Sequence, residues 1–533
     1  SRFVPPIRMG CNILNVITFV ASVVCIVTLI IYFGFNHTPG GVANMLHVLR
    51  GCQITFLINI IYNASLRFRH TVCETKAIKW IVDIAMLVTL LPLIYPRPEH
   101  PWIPFLETLL YSHRFLFPVL CAYSIVEISY GIIRVLGKRT NPSLILSASF
   151  GLFIIIGSVL LMMPKCTYGE ISYVDSLFVS TSAVCITGLT TVDVATTFTN
   201  GGLMIIALLI QIGGLGVMTF TSFFALFFSG NTSIYSQLLV RDMIYSKSLN
   251  SLLPTLLYIF GVTIIVELIG AAGIFLCIHD KLGMDLQEEL IFSGFHSLSA
   301  FCNAGFSNIE GGLSNPLLFH SNQIVYIVVT LLVTAGGIGF PTLINLRQAV
   351  GNFFRRNWNR LKRRRNLPLT VHTIDLNTKI VLVTSVWITV VSTLLFLWFE
   401  YSNSLAGMPL SDKLIQSWFN SSVPRSSGFS SVNPAGFHYT TILMFIFLMW
   451  IGGASQSTAG GIKVNTFATM LLNLKAIILG RDHVTAYGRS IAIPSIRRAH
   501  AVVGLSIISL FLICIVLVAL EPALPLLPLI YDA

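Results

Sequence analysis

Eleven runs of mostly apolar residues, each close to one bilayer crossing in length, succeed one another along this chain: near 12–34, 46–66, 78–96, 114–136, 143–163, 201–228, 255–278, 322–346, 379–400, 440–470 and 502–520. About 20 consecutive apolar residues cross the hydrocarbon as helix. In lipid every backbone N–H and C=O must find a partner within the protein, which leaves helices or closed barrels. Runs of this length predict an all-α polytopic membrane protein. The second run is the weakest, because it contains His47 and Arg50. Only 10% of residues are charged, against about 25% in soluble domains.

The net charge of +12 does not indicate nucleic-acid binding, because the basic residues sit in short segments between apolar runs. The clusters are Arg67, Arg69 and His70; Arg134, Lys138 and Arg139; Arg241 and Lys247; the run from Arg355 to Arg365; and Arg481, Arg489, Arg497 and Arg498. This is the distribution of the positive-inside rule. Ten cysteines without a CxxC pair are expected to be reduced packing residues. The first apolar run is span-length rather than a cleavable signal, and Ser1 in place of Met reads as a processed or trimmed start.

Residues 1–140 hold four runs and form a separate N-terminal membrane region. A voltage sensor also has four helices, but its fourth carries basic residues at every third position; here Arg114 and Arg134 are separated by an apolar stretch. Asp83 and Glu127, acids within runs, are expected to serve packing or assembly rather than sensing.

From residue 141 the chain repeats itself. Each unit has an apolar helix, a short amphipathic segment ending in small residues and a glycine, and a second apolar helix. The glycines Gly188, Gly305 and Gly428 are 117 and 123 residues apart. The units are read as 141–235, 236–350 and 366–485, with a fourth beginning at 495–533. The same spacing places a fourth glycine beyond Ala533, so the chain is expected to lack the last pore segment.

A segment of about ten residues between two spans is too short to cross and return, so it reads as a re-entrant half-helix followed by extended backbone. Carbonyl oxygens beside a glycine replace the hydration shell of a cation in potassium-channel filters, and glycine reaches backbone angles closed to other residues. The expected filter residues are Ile186, Thr187 and Gly188; Asn303, Ala304 and Gly305; and Ser426, Ser427 and Gly428. The ion would meet Thr187, Gly188, Ala304, Gly305, Ser427 and Gly428.

Four stretches carry a family resemblance: Ile186-Thr187-Gly188-Leu189 with Val192-Asp193, His296 through Ser307, Pro424 through Phe429, and Gly452 through Lys463. Over about residues 138–533 the chain resembles the pore subunit of the Trk/Ktr/HKT superfamily of potassium transporters, nearest its bacterial Trk and Ktr branch. The resemblance implies K+ as the transported ion with no covalently bound cofactor. It also implies a multi-pass protein of the cell inner (plasma) membrane, a homodimer, and a cytoplasmic ring of nucleotide-binding regulatory subunits as partner. Sodium-preferring members often carry Ser at the first filter glycine, and Gly188 stands there here. The family's basic residue in the final helix is not found in this chain.

Glycine pairs also mark the second helices: Gly213-Gly214, Gly336-Gly337 and Gly452-Gly453. The third is followed by inserted small residues. Thr458-Ala459-Gly460 mimics a fourth filter, but Gly460 follows Gly428 by only 32 residues, too few for a repeat. The stretch 452–463 therefore reads as a loop that breaks the helix beneath the filter. It matches the family's intramembrane gate, with Gly452, Gly453, Ser457, Thr458, Ala459, Gly460, Gly461 and Lys463 as gate residues. Lys463 either repels cations or anchors the loop. Arg425 is expected to bond carbonyls behind the filter, Glu267 to bond a neighbouring helix or contact the ion path, and Asp193 and Glu310 to concentrate cations or merely line loops.

Enzyme motifs are missing: there is no HExxH or GxSxG, and Gly461 and Ile462 separate Gly460 from Lys463, which breaks a phosphate loop. The expected function is potassium uptake through a channel-like pore in the bilayer. The alternatives are potassium transport coupled to sodium or protons, and a sensor or assembly protein on the same scaffold.

Overall fold

The computed structural model describes residues 4–66, 77–94, 111–136, 142–216, 252–361, 374–522 and 525–532. The basic residues at 67–70, 138–139, 241–247 and 362–365, and the second half of the run at 201–228, lie outside them. Two compact units are formed.

The first unit is built on α1 (Val4–Gly34), α2 (Pro39–Leu66), α3 (Ala77–Val88) and α4 (His113–Leu136). Its core contains Cys25, Leu49, Phe56, Met86, Leu120 and Tyr123. Polar side chains within it are paired internally: Gln53 Nε2 donates to Thr89 Oγ1 at 2.9 Å and Asn59 Nδ2 to the Tyr123 hydroxyl at 3.3 Å. In hydrocarbon an unpaired amide is costly, so these contacts fix which helix faces meet.

The second unit contains the repeated glycines. The helices from residue 142 onward follow one plan three times: α5 (Pro142–Leu161), most of which belongs to the first unit, α6 (Tyr173–Cys185) and α7 (Asn200–Gly214); α8 (Leu252–Ile278), whose start also belongs to the first unit, α9 (Leu286–Phe301) and α10 (Gln323–Gly337), continued by α11 (Phe340–Leu361); and α12 (Leu376–Glu400), α13 (Leu410–Ser422) and α14 (Tyr439–Trp450), continued by α15 (Val464–Ile478). After a small hairpin of β1 (Thr485–Ala486) and β2 (Arg489–Ser490), α16 (Ile493–Leu520) and α17 (Leu526–Asp532) follow.

Contacts recur with the plan. Ser180 Oγ donates to Ile154 O at 2.8 Å, and Ser297 Oγ to Glu267 O at 2.6 Å. A Cβ on Gly157 would collide with Ser180 and Leu209, and one on Gly270 with Ser297 and Leu332. The same glycine, serine and leucine thus lock the first helix, half-helix and second helix together in successive repeats.

The half-helices α6, α9 and α13 are 13, 16 and 13 residues long. At 1.5 Å per residue none reaches across the roughly 30 Å of hydrocarbon. Each carries an acid in its first turn, Asp175, Glu288 with Glu289, and Asp412, and none carries a basic residue in its last turn.

Among the described residues, five helices are long and apolar enough to cross a membrane: Ile13–Gly34, Pro39–Tyr62, Leu256–Ile278, Leu376–Glu400 and Ile493–Leu520. The run at 322–346, expected as one continuous span, is instead two helices meeting at 101°. That bend has an identifiable cause in the loop 452–463.

Candidate functional site

Each half-helix ends just before its glycine, so its negative, carbonyl-rich end faces the glycines. There the backbone turns sharply. Ile186 and Asn303, each two residues before the glycine, adopt φ of 59°, and Gly188, Gly305 and Gly428 have φ of 82°, 75° and 70°. The turn closes with Thr187 N donating to Ser182 O at 2.9 Å and Ala304 N to Ser299 O at 2.8 Å. The third segment differs: a 3-10 turn at Val423–Arg425 intervenes, and Ser427 N donates to Val423 O at 3.0 Å.

The three glycines converge in cyclic order. The place of a Cβ on Gly188 lies 2.7 Å from the Ala304 carbonyl, and that on Gly428 lies 3.5 Å from the Thr187 carbonyl. A Cβ on Gly305 would collide with the Ser427 carbonyl. Thr187, Ala304 and Ser427, the residues before each glycine, therefore turn their carbonyls toward the neighbouring repeat's glycine.

Side-chain supports stand behind this ring. His296 Nδ1 lies 3.0 Å from Phe292 O and its Nε2 2.7 Å from Ser307 Oγ. A carbonyl only accepts, so Nδ1 carries the proton and Nε2 accepts from Ser307. Ser299 Oγ donates to Phe306 O at 2.8 Å. In the third repeat Asn420 and Ser431 exchange two bonds, at 2.8 and 3.1 Å. Each pair ties a half-helix to the segment leaving its glycine; for His296 with Ser307 and Asn420 with Ser431 the signal available was a polar residue eight or nine positions before the glycine and a serine two or three after it.

The stretch 452–463 closes on itself. Gly452 N donates to Ile462 O and Ile462 N to Trp450 O, both at 3.0 Å. A Cβ on Gly452 would collide with the Gly460 carbonyl, and Gly461 has φ of 69°. The loop then fills the break between α10 and α11. Ala454 N donates to Gly337 O at 2.8 Å and Thr458 N to Gly336 O at 3.3 Å, satisfying carbonyls that end α10. Gln456 O accepts from Phe340 N at 3.0 Å, satisfying the start of α11. The loop thus serves as cap to both helix halves, which is why the run at 322–346 bends.

The predicted gate residues reach the glycine ring. Asn303 Nδ2 donates to Thr458 Oγ1 at 2.8 Å, and Thr458 Oγ1 donates to Phe301 O at 2.9 Å. Gly460 N donates to Ser426 Oγ at 2.8 Å. Ser457 Oγ stays within the loop, donating to Ala454 O at 2.7 Å. Lys463 Nζ donates to Ala459 O at 2.6 Å, the anchoring arrangement.

Other expectations resolve individually. Arg425 reaches one carbonyl, Gly452 O at 3.4 Å, and Thr389 Oγ1 at 3.2 Å. Glu267 bonds neighbouring elements: its Oε1 lies 3.8 Å from Cys302 Sγ, which also lies 3.7 Å from Gln211 Oε1. Asp193 caps a short helix by accepting from Ala195 N at 2.8 Å. The described cysteines are free.

A family model described as "TrkH: Cation transport protein" matches residues 138–525. The chain belongs to the TrkH family of cation transport proteins. The resemblance carried by the glycine motifs therefore holds. The Ktr system potassium uptake protein B of Bacillus subtilis (strain 168) is 34% identical over 384 residues, covering 72% of this chain and 80% of that protein. The potassium/sodium uptake protein NtpJ of Enterococcus hirae is 29% identical over 391 residues, covering 73% and 81%. The crystal structure of the potassium transporter TrkH from Vibrio parahaemolyticus shares the fold, with a TM-score of 0.55, 16% identity and 83% of each chain covered. This TrkH-family chain is accordingly an all-α, multi-pass plasma-membrane protein and a transporter rather than an enzyme.

Proposed function

We propose that this protein takes up potassium through a channel-like path whose selectivity filter is formed at Gly188, Gly305 and Gly428. The observation that carries the reading is the cyclic meeting of Thr187, Ala304 and Ser427 carbonyls with those glycines. Carbonyl oxygens there substitute for water around the ion. The half-helix ends, each equivalent to roughly half a negative charge, favour a cation. The driving force is the membrane potential, about 2.3 kcal/mol per charge per 100 mV.

The loop 452–463 acts as the gate, because it bonds both to the filter residues Asn303 and Ser426 and to the break between α10 and α11. A shift of α11 is thereby linked to the filter through a short set of hydrogen bonds. The Trk/Ktr resemblance supports, as part of the same reading, gating by cytoplasmic nucleotide-binding regulatory subunits and assembly as a homodimer.

Coupling to sodium or protons has less support. Glu267, an acid within α8, is engaged by Cys302. Potassium flux in proteoliposomes under an imposed potential tests the proposal: uptake without a sodium or proton gradient is expected, and uptake that requires either gradient contradicts it.

A further inference from the structure

Two equivalent places behind the glycine ring are filled differently. In the first, Glu267 of α8, Gln211 of α7 and Cys302 form a polar cluster. Cys302 stands three residues before Gly305, as Arg425 stands three before Gly428. Arg425 Nη1 donates to Thr389 of α12 at 3.2 Å, as Cys302 contacts Glu267. Thr334, two residues before Gly336, takes the place of Gln211, two before Gly213. One place therefore has a carboxyl group beside a thiol, and the other has a guanidinium beside two threonines.

Among the described residues no acidic side chain is paired with Arg425, and its buried Nε has no hydrogen-bond partner. Thr334, Thr389 and Arg425 line a cavity of about 310 Å³. Val386, Val390 and Trp418 supply apolar wall, and Gly453 and Ala459 bring it to the gate loop. Val386 and Val390 are 60% and 48% exposed, next to Trp387 at 66%. The cavity thus opens on the apolar face of a membrane-crossing helix, where the medium is hydrocarbon.

We propose that this cavity binds a long-chain carboxylate amphiphile from the bilayer, its carboxylate on the Arg425 guanidinium and its chain along Val386 and Val390. The ligand supplies from outside a carboxyl group beside Arg425, as Glu267 supplies one beside Cys302 at the other place. Guanidinium and carboxylate pair through two parallel hydrogen bonds, and a cation without a counter-charge is costly at this depth. Since Arg425 also donates to Gly452 O at 3.4 Å, an occupant competes for the contact between Arg425 and the loop.

Radiolabelled palmitate titrated onto the purified protein in detergent tests this independently of ion flux. Saturable binding is expected, weakened at least tenfold by Thr389→Glu, which places a carboxylate on Arg425. The same loss is expected from Val386→Trp, which narrows the mouth and leaves Arg425 in place. Absence of saturable binding, hexadecanol competing as well as palmitate, or wild-type binding in both variants would overturn the proposal.

Discussion

Asn303 and Thr458, 155 positions apart in sequence, are joined by a 2.8 Å hydrogen bond from Asn303 Nδ2 to Thr458 Oγ1. The bond connects the residue that turns the second glycine segment to the middle of the loop 452–463. Thr458→Val keeps the shape and removes the hydroxyl, leaving Phe301 O and Asn303 Nδ2 without this partner. A buried group so abandoned costs about 1–3 kcal/mol. The loop is then less firmly held, so potassium flux in liposomes without regulatory subunits should rise several-fold. Unchanged flux would separate the loop from gating.

Gly452→Ala should be severe, because the added methyl meets the Gly460 carbonyl where backbone pairs with backbone. Overpacking of this kind costs about 1–3 kcal/mol or more. Gly460→Ala, where a Cβ meets nothing within 4 Å, is the control. A lower melting temperature for the first variant only is the expected result.

Glu400 ends α12 and accepts from Thr441 Oγ1 at 2.6 Å, His438 N at 2.9 Å, Asn403 Nδ2 at 2.8 Å and Ser404 N at 3.4 Å. It joins the first helix of the third repeat to the start of α14. Glu400→Leu strands these donors and should destabilise by on the order of 3 kcal/mol; Glu400→Gln should lose less. Thermal unfolding in detergent distinguishes the two.

His279 Nδ1 lies 2.9 Å from Glu289 Oε2, linking the end of α8 to the first turn of α9. The bond to Glu289 raises the His279 pKa above its ordinary 6.5, and the same bond lowers Glu289 below its ordinary 4.5. A raised histidine contributes stability that is full below its unfolded value and fades as pH rises through the folded one. A lowered carboxylate contributes above its unfolded value and fades as pH falls through the folded one. Stability from the pair is therefore greatest between about pH 4.5 and about pH 6.5. Melting temperature measured from about pH 5 to about pH 9 should fall less steeply in Glu289→Gln than in wild type. Parallel curves would refute the coupling.

The helical architecture was legible because lipid admits few backbone solutions and each apolar run marks one. The convergence of the glycines followed from their even spacing, and the loop from the mismatch between Gly428 and Gly460. The 101° bend after Gly337 was not legible. Its cause is the capping of α10 and α11 by Ala454, Gln456 and Thr458, residues more than 100 positions downstream, and hydrophobic pattern carries no record of such a partner. His296 with Ser307 and Asn420 with Ser431 were hidden for a related reason: in one sequence, polar residues on an amphipathic half-helix read as its exposed face. Arg425 was expected to find carbonyls, and the change from Cys302 to Arg425 at one repeat position became meaningful only when both surroundings were seen.

The account rests on the glycine ring, and Gly305 is its tightest point, since a side chain there meets the Ser427 carbonyl. The most direct measurement is potassium and sodium flux, side by side in proteoliposomes, for wild type and Gly305→Ser. Wild type should favour potassium, and the variant should lose about tenfold or more of that preference, equivalent to about 1.4 kcal/mol. An unchanged ratio of potassium to sodium flux in a folded, conducting Gly305→Ser protein would contradict the account.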